Sequence, residues 1–307
     1  MIKNTLVSTA VLVLSTGLAF SGTLSNAEAS VPSPKWAGFY AGLNAGGIWS
    51  ENTNTTILSS FVQGSQTLLF PNGAIYTGVQ SAQGASGTIS TNNSGFIGGA
   101  QIGYNWQFTD RWIGGLEADF QGIASGHNNG QTSTIVPLVG IFDEGALVYV
   151  PGKFFGSSLN VSKRTNYLGT IRGRLGGLAT PTLLLHGTGG FAYGGVSSSA
   201  SVTQTNNDSA TSPPLFSLTP QSFSSGRYSH TLLGWTAGAD AEWMFMPNWS
   251  AKVEYLYYDL GRVSYTLSPT IITIPVLVDP ITVVNSQAST RFNGNIIRVG
   301  VNHHFNL

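Results

Sequence analysis

The chain of 307 residues is only 8% charged, with a formal net charge of +0, against about 25% in ordinary soluble domains. Hydrophobic residues make up 41%, so the missing charge is replaced by Gly, at 39 residues, and by Ser, Thr and Asn rather than by a greasy core. Neutrality argues against a nucleic-acid partner, and the absence of cysteine excludes disulfides, thiolate metal sites and a Cys nucleophile.

The N-terminus has the form of a secretory signal peptide. Lys3 gives a short positive region, Leu6 to Phe20 an apolar one, and Ala27-Glu28-Ala29 a small-x-small cleavage site. A membrane anchor is the alternative, but the apolar stretch is short for the ~20 residues of a span. The predicted organisation is a signal peptide over 1–29 and one domain over 30–307.

Alternating apolar and polar residues then recur along the chain. The first such segment is WAGFYAGLNAGGIWS (36–50). The second and third form the hairpin GFIGGAQIGYNWQFTDRWIGGLEADFQG (95–122). Here Phe96, Ala100, Ile102, Tyr104, Trp106 and Phe108 share one parity, and Gln101, Asn105 and Gln107 the other. TNYLGTIRGRLGGL (165–178) turns at 179–181 into TLLLHGTGGFAYGGV (182–196). HTLLGWTAGADAEWMF (230–245) turns at 246–248 into WSAKVEYLYYDLG (249–261), and RFNGNIIRVGVNHHF (291–305) closes the series. Each segment is about as long as the 9–11 residues of a tilted transmembrane strand, or somewhat longer. Connections after the second, fourth and sixth are a few residues. The others far exceed the usual hairpin loop of about 2–5. Short turns at one end and long loops at the other are the asymmetry of an outer-membrane barrel.

An internal echo marks the turn end. Trp106-x-Phe108-x-x-x-Trp112 recurs as Trp243-x-Phe245-x-x-x-Trp249. With Trp36 and Phe305 these rings are predicted to form an aromatic girdle at one membrane boundary. Ordinary sandwich-core aromatics are the alternative, against which their restriction to turn ends argues.

Parity also sorts the charges. Ile171, Leu175, Leu185, Phe191, Trp235, Val253, Tyr255, Ile297, Val299 and Val301 fall on one face. The other carries Glu117, Asp119, Arg172, Arg174, His186, Asp240, Glu242, Lys252, Glu254, Arg298 and His304. In a soluble sheet the apolar face would need a second layer, and no helix is evident to supply it. Closing the strands with polar residues inside and lipid outside satisfies every edge and face. Eight strands leave an interior only wide enough for side chains, where unpaired charge is strongly unfavourable. The inward ions are therefore expected to pair as a plug, with a conducting path as the alternative.

The motifs WAGFYAGLNAGG, GFIGGAQIGYNWQF, WIGGLEADFQG, NYLGTIRGRLGG, GWTAGADAEWMFMPNWSAKVEYLYYDLG and RVGVNHHF resemble the small outer-membrane β-barrel proteins of alphaproteobacteria. These are the immunogenic, "porin family" surface proteins, similar in architecture to the OmpA transmembrane domain. The resemblance covers every strand segment and leaves out the loops. It implies an all-β, eight-stranded antiparallel transmembrane barrel with four long extracellular loops, periplasmic termini, and lipid and lipopolysaccharide as surroundings. It also implies a C-terminal signal read by the outer-membrane assembly machinery, carried here by Arg298, Gly300 and Phe305. His303 departs from that pattern, standing where a hydrophobe is usual, and Asn306-Leu307 follow the aromatic.

No strong catalytic motif is present, and neither a metal nor a cofactor is expected. His303 and His304 point to opposite faces and cannot share a metal. His186 beside inward carboxylates imitates part of a hydrolase triad, but residue types carry no triad geometry. The loops STIVPLVGIFDEGALVYVPGKFF and YTLSPTIITIPVLVDPITVV read either as strand extensions with Pro at edges or as a surface for a host or small-molecule ligand, haem-type among them. Three functions remain: a structural surface barrel with a plugged interior, a small diffusion porin, and a loop-mediated adhesin or ligand-binding protein.

Overall fold

The computed structural model describes residues 36–51, 53–63, 71–91, 94–125, 128–142, 146–206, 222–272 and 282–305. The expected signal peptide and Asn306-Leu307 lie outside the described residues.

Strand β1 (Gly38–Ser50) is followed by β2 (Asn54–Gln63), helix α1 (Pro71–Gly84) and β3 (Gly87–Ser90). Then come β4 (Ser94–Gln107), β5 (Trp112–Ser125), β6 (Asn129–Phe142) and the 35-residue β7 (Ala146–Thr180). The chain ends with β8 (Leu183–Asn206), β9 (Ser222–Met246), β10 (Trp249–Thr266), β11 (Thr270–Ile272) and β12 (Thr282–Phe305). Antiparallel pairing runs β1-β4-β5-β7-β8-β9-β10-β12. Strand β12 then pairs back onto β1, from Phe39↔Phe305 to Ser50↔Gly294. The sheet closes on itself, which leaves this ring without an edge.

Tight turns gather at one end. Between β4 and β5 the Phe108 N–H donates to Trp112 O at 3.0 Å, and Thr109 Oγ1 accepts from the Trp112 N–H at 3.0 Å. Between β9 and β10, Asn248 takes φ 67, a left-handed conformation that Asn tolerates because its short amide bonds locally. Gly38 and Phe305 lie at this same end.

The opposite end corrects the expectation of long loops. Most of these segments are strand: β7, β8, β9 and β12 continue far past the alternating stretches, and β2, β3, β6 and β11 add to the wall. Their Ser- and Thr-rich outer faces look like loop sequence. Their inward positions carry Ile57, Ile89, Leu159, Val161, Ala200, Val202 and Ala288, which form one buried cluster. A shift of register between Thr165 and Tyr167 changes which parity of β7 faces inward.

Helix α1 is a second correction, since no helix was expected. Pro71 at its start and Gly84 at its end fit the usual asymmetry of helix termini. It packs into the extended end. Ser81 Oγ donates to Gln204 Oε1 at 2.6 Å, and Gln80 Nε2 donates to Pro137 O at 2.9 Å.

The interior is layered. At the turn end Trp36, Ile113, Leu184 and Met244 form an apolar floor. A charged layer follows. Above it Ile48, Ile97, Leu168, Ala192, Leu256, Phe292 and Ile296 belong to a second apolar cluster. A polar interior was expected; these residues share the inward parity of the polar or charged residues further along the same strands, Ile48 with Asn44 and Leu168 with Arg172.

Candidate functional site: the charged layer and the outer belts

Glu117, Asp119, Arg172, Arg174, Asp240, Glu242, Lys252, Glu254 and Arg298 are all buried, none more than 6% exposed. The closed ring brings them together through its register. Glu117 lies opposite Arg172, Glu242 opposite Lys252, Glu254 opposite Arg298, and His186 opposite Asp240. Directly opposed charges of opposite sign support a sheet, and here they face a shared interior.

Glu117 is the hub. Its carboxylate contacts Arg172 Nη2, lies 3.2 Å from Arg174 Nη1, and accepts from Lys252 Nζ at 2.9 Å and from the Tyr40 hydroxyl at 2.7 Å. Arg172 also reaches Asp119 at 2.8 Å and Glu254 at 2.6 Å. Arg298 spans Asp119, at 2.8 Å, and Glu254. Arg174 spans Asp240 and Glu242, each at 3.0 Å. Forked guanidinium groups between carboxylates are strong charge-assisted arrangements.

Uncharged side chains complete the layer, and several went unnoticed in the sequence. Ser250 Oγ donates to Glu242 at 2.5 Å, Asn302 Nδ2 donates to the same carboxylate at 2.7 Å, and Thr170 Oγ1 donates to Asp119 at 2.9 Å. Gln101 links to Asn302 at 2.6 Å and to Asn44 at 2.9 Å. Tyr40 was missed altogether, although its parity within 36–50 marks it as inward. His186, Asp240 and Glu242 offer donor atoms within 4.8 Å of one another. Arg174 Nη2 lies 2.8 Å from His186 Nδ1 and bonds both carboxylates, so a guanidinium holds the place a cation would take.

Outside the ring the pattern inverts. Trp106, Phe108, Trp112, Trp243, Phe245, Trp249 and Phe305 are all exposed and ring the turn end. Trp36 does not join them. It is 0% exposed, donates its indole N–H to Pro181 O at 3.0 Å, and closes the apolar floor. Its parity with Tyr40, Asn44 and Ile48 turns it inward. Gln107, expected inward, is exposed at the strand end. Gly300 and Arg298 are buried in β12, and Phe305 is 46% exposed at the tip of that strand.

A second aromatic belt, not anticipated, lies toward the extended end: Trp49, Phe96, Phe120, Phe191 and Trp235 are exposed, with Tyr167 and Tyr193 half-buried. Tyr193 lies across Gly169 and Tyr167 across Gly195, where any side chain would collide with the ring. From Trp106 to Phe96 along β4 is ten residues, which at about 3.3 Å each and a tilt of about 40° gives ~25 Å. Between the belts stand Leu43, Ile102, Leu116, Ile171, Leu175, Val253, Ile297 and Val299, each at least half exposed. Such a band is the height of an outer-membrane hydrocarbon layer.

Residues 16–305 match the family of the outer membrane protein beta-barrel domain. The chain belongs to that family. Two relatives, the 31 kDa outer-membrane immunogenic proteins of Brucella melitensis and Brucella suis, are each 30% identical to it over 304 residues, covering 98% of both chains. The solved structure of the outer membrane protein OprG from Pseudomonas aeruginosa is similar at 10% identity. It covers 88% of this chain and 97% of its own, with a TM-score of 0.36. This outer-membrane barrel therefore resides in the cell outer membrane, with the apolar band between its belts in lipid.

Proposed function

We propose that the protein is a structural, surface-exposed barrel of eight transmembrane strands whose lumen is sealed, with a cleaved signal peptide over 1–29, periplasmic termini and the extended end outside the cell. The observation that carries this reading is the stacking of an ion-paired layer against an apolar layer inside the same ring. Ions in the first are held both by partners on neighbouring strands and by partners across the ring, such as Lys252 on Glu117. The second, around Leu256, Phe292 and Ile296, meets a permeating ion with mostly apolar side chains, its polar groups including the Tyr258 hydroxyl and the Lys163 ammonium over the Phe292 ring. Diffusion through a porin needs a wetted path, and an eight-stranded interior has little room for one.

Two measurements test the proposal. Liposomes carrying the refolded protein should swell in small sugars no faster than empty ones; swelling at porin rates would support the diffusion reading instead. Protease added to whole cells should cut within 51–94 or 123–160. Cleavage at 109–111 or 246–248 would reverse the topology.

A further inference from the structure

Beyond the second aromatic belt the outer face of β6–β9 changes character within a few residues. Tyr167, Tyr193 and Leu233 give way to Arg164, Ser197 and Ser229. Further on, the register aligns one row of inward-facing residues across four strands: Gly130, Val161, Ala200 and Gly226. Three of the four are Gly or Ala, and the row lies along the middle of a surface trough. A Cβ at Gly130 would come within 2.5 Å of Ile89 Cγ2, and one at Gly226 within 2.7 Å of Thr266 O. With the outward residues on either side, this row lines a trough of about 790 Å³.

Two rows of outward side chains flank it. Asn129, Ser162, Ser199 and Arg227 lie in register on one side, and Gln131, Asn160, Ser201 and Ser225 on the other. Every one is a hydrogen-bonding group, no carboxylate among the described residues lines the trough, and Arg227 is exposed. Rows crossing strands repeat at about 4.8 Å, with about 7 Å between the two rows. That spacing suits a chain of sugar rings lying across the strands. Ser162 stands five residues past Tyr167 and Ser199 six past Tyr193, which places the trough ~15 Å above the hydrocarbon. This exceeds the few ångströms of a headgroup layer and reaches the level of saccharide.

We propose that this trough binds the saccharide core of lipopolysaccharide in the leaflet around the barrel, with Arg227 meeting an anionic group on it. The inference rests on the orientation proposed above. Continuity with the lipid-facing wall below selects a membrane-bound saccharide over a free one, and two cations among neutral donors, Arg227 in the lining and Arg164 one row nearer the membrane, select a sparsely charged sugar over a polyanion.

The test uses the full chain in vesicles containing either lipopolysaccharide with a complete core or lipid A alone, with affinity read by titration. The wild type should prefer the complete core at least tenfold. Arg227→Ala should reduce that affinity about tenfold, the worth of one charge-assisted bond. Ser199→Trp, which fills the trough from an outward position, should abolish the preference while the barrel stays folded by its heat-modifiable mobility. Equal affinity for both lipids, or a preference untouched by both variants, overturns the inference. So does an effect of Ser199→Trp on oligomeric state instead of lipid affinity, which would make the trough a contact between copies. Labelling of Gln131→Cys on intact cells by an impermeant maleimide separates the two levels. Labelled protein without core preference sinks only this inference; protein unlabelled both there and at Ser60→Cys, exposed on β2 of the extended end away from the trough, sinks the orientation beneath it.

Discussion

Glu117→Gln removes the carboxylate that, among the described residues, touches Arg172, Arg174 and Lys252 together. All three cations are at most 4% exposed, so water cannot replace the lost charge. The new amide also turns a donor toward groups that only donate. Breaking a buried pair by removing one partner costs about 3–5 kcal/mol, and the upper half of that range is expected here because three cations lose a partner at once. For a barrel of this length 1 kcal/mol corresponds to about 2–4 °C, so the midpoint of heat-modified mobility should fall by ~10–15 °C. Asp240→Asn is the internal comparison. Asp240 has one cation, Arg174, and His186 as partners, and its loss should be smaller. A Glu117→Gln barrel melting within about 2 °C of wild type, or above Asp240→Asn, would refute the hub reasoning.

Three further outcomes follow from the same structure. Trp36→Ala should destabilise the folded barrel by about 3–5 kcal/mol, as expected for a buried Trp, whereas Trp106→Ala on the lipid side should cost far less in detergent denaturation. Phe305→Ala should lower the amount of heat-modifiable protein inserted in cells yet leave the detergent-refolded barrel within roughly 1–3 kcal/mol of wild type; equal loss in both settings would make Phe305 merely structural. Lys163, 1% exposed beyond the lipid band, has its pKa lowered to about 8 by burial. Between that value and 10.5 the unfolded chain binds the proton more strongly, so stability should rise with pH by on the order of 3 kcal/mol. Lys163→Met should lose this rise, and parallel pH profiles of the two proteins would contradict it.

Much of this was legible from parity alone. Residues such as Glu117, Arg172 and Glu254 are long, charged and flanked by alternating apolar neighbours, so a period of two assigns them a face without further information. What parity does not carry is how far a face stays polar. Ile48, Ile97 and Ile296 share the inward register of Asn44, Gln101 and Arg298, and only closure of the ring reveals that they meet as a layer. Trp36 was misplaced because its position at a turn end outweighed its phase with Tyr40. The extended walls were read as loops because Ser and Thr dominate them; the signal was Ala200 and Val202 alternating with serines. Helix α1, PNGAIYTGVQSAQG, carries several glycines and a weak apolar stripe, and its helicity comes from packing within the extended end.

The central claim is that the lumen is closed, and a single-channel recording of the refolded protein in a planar bilayer tests it most directly. At neutral pH and moderate salt the wild type should insert without resolved openings, and small, fluctuating currents should appear when Glu117→Gln and Glu254→Gln loosen the charged layer. A steady wild-type conductance of porin size, unaltered by those substitutions, would contradict it.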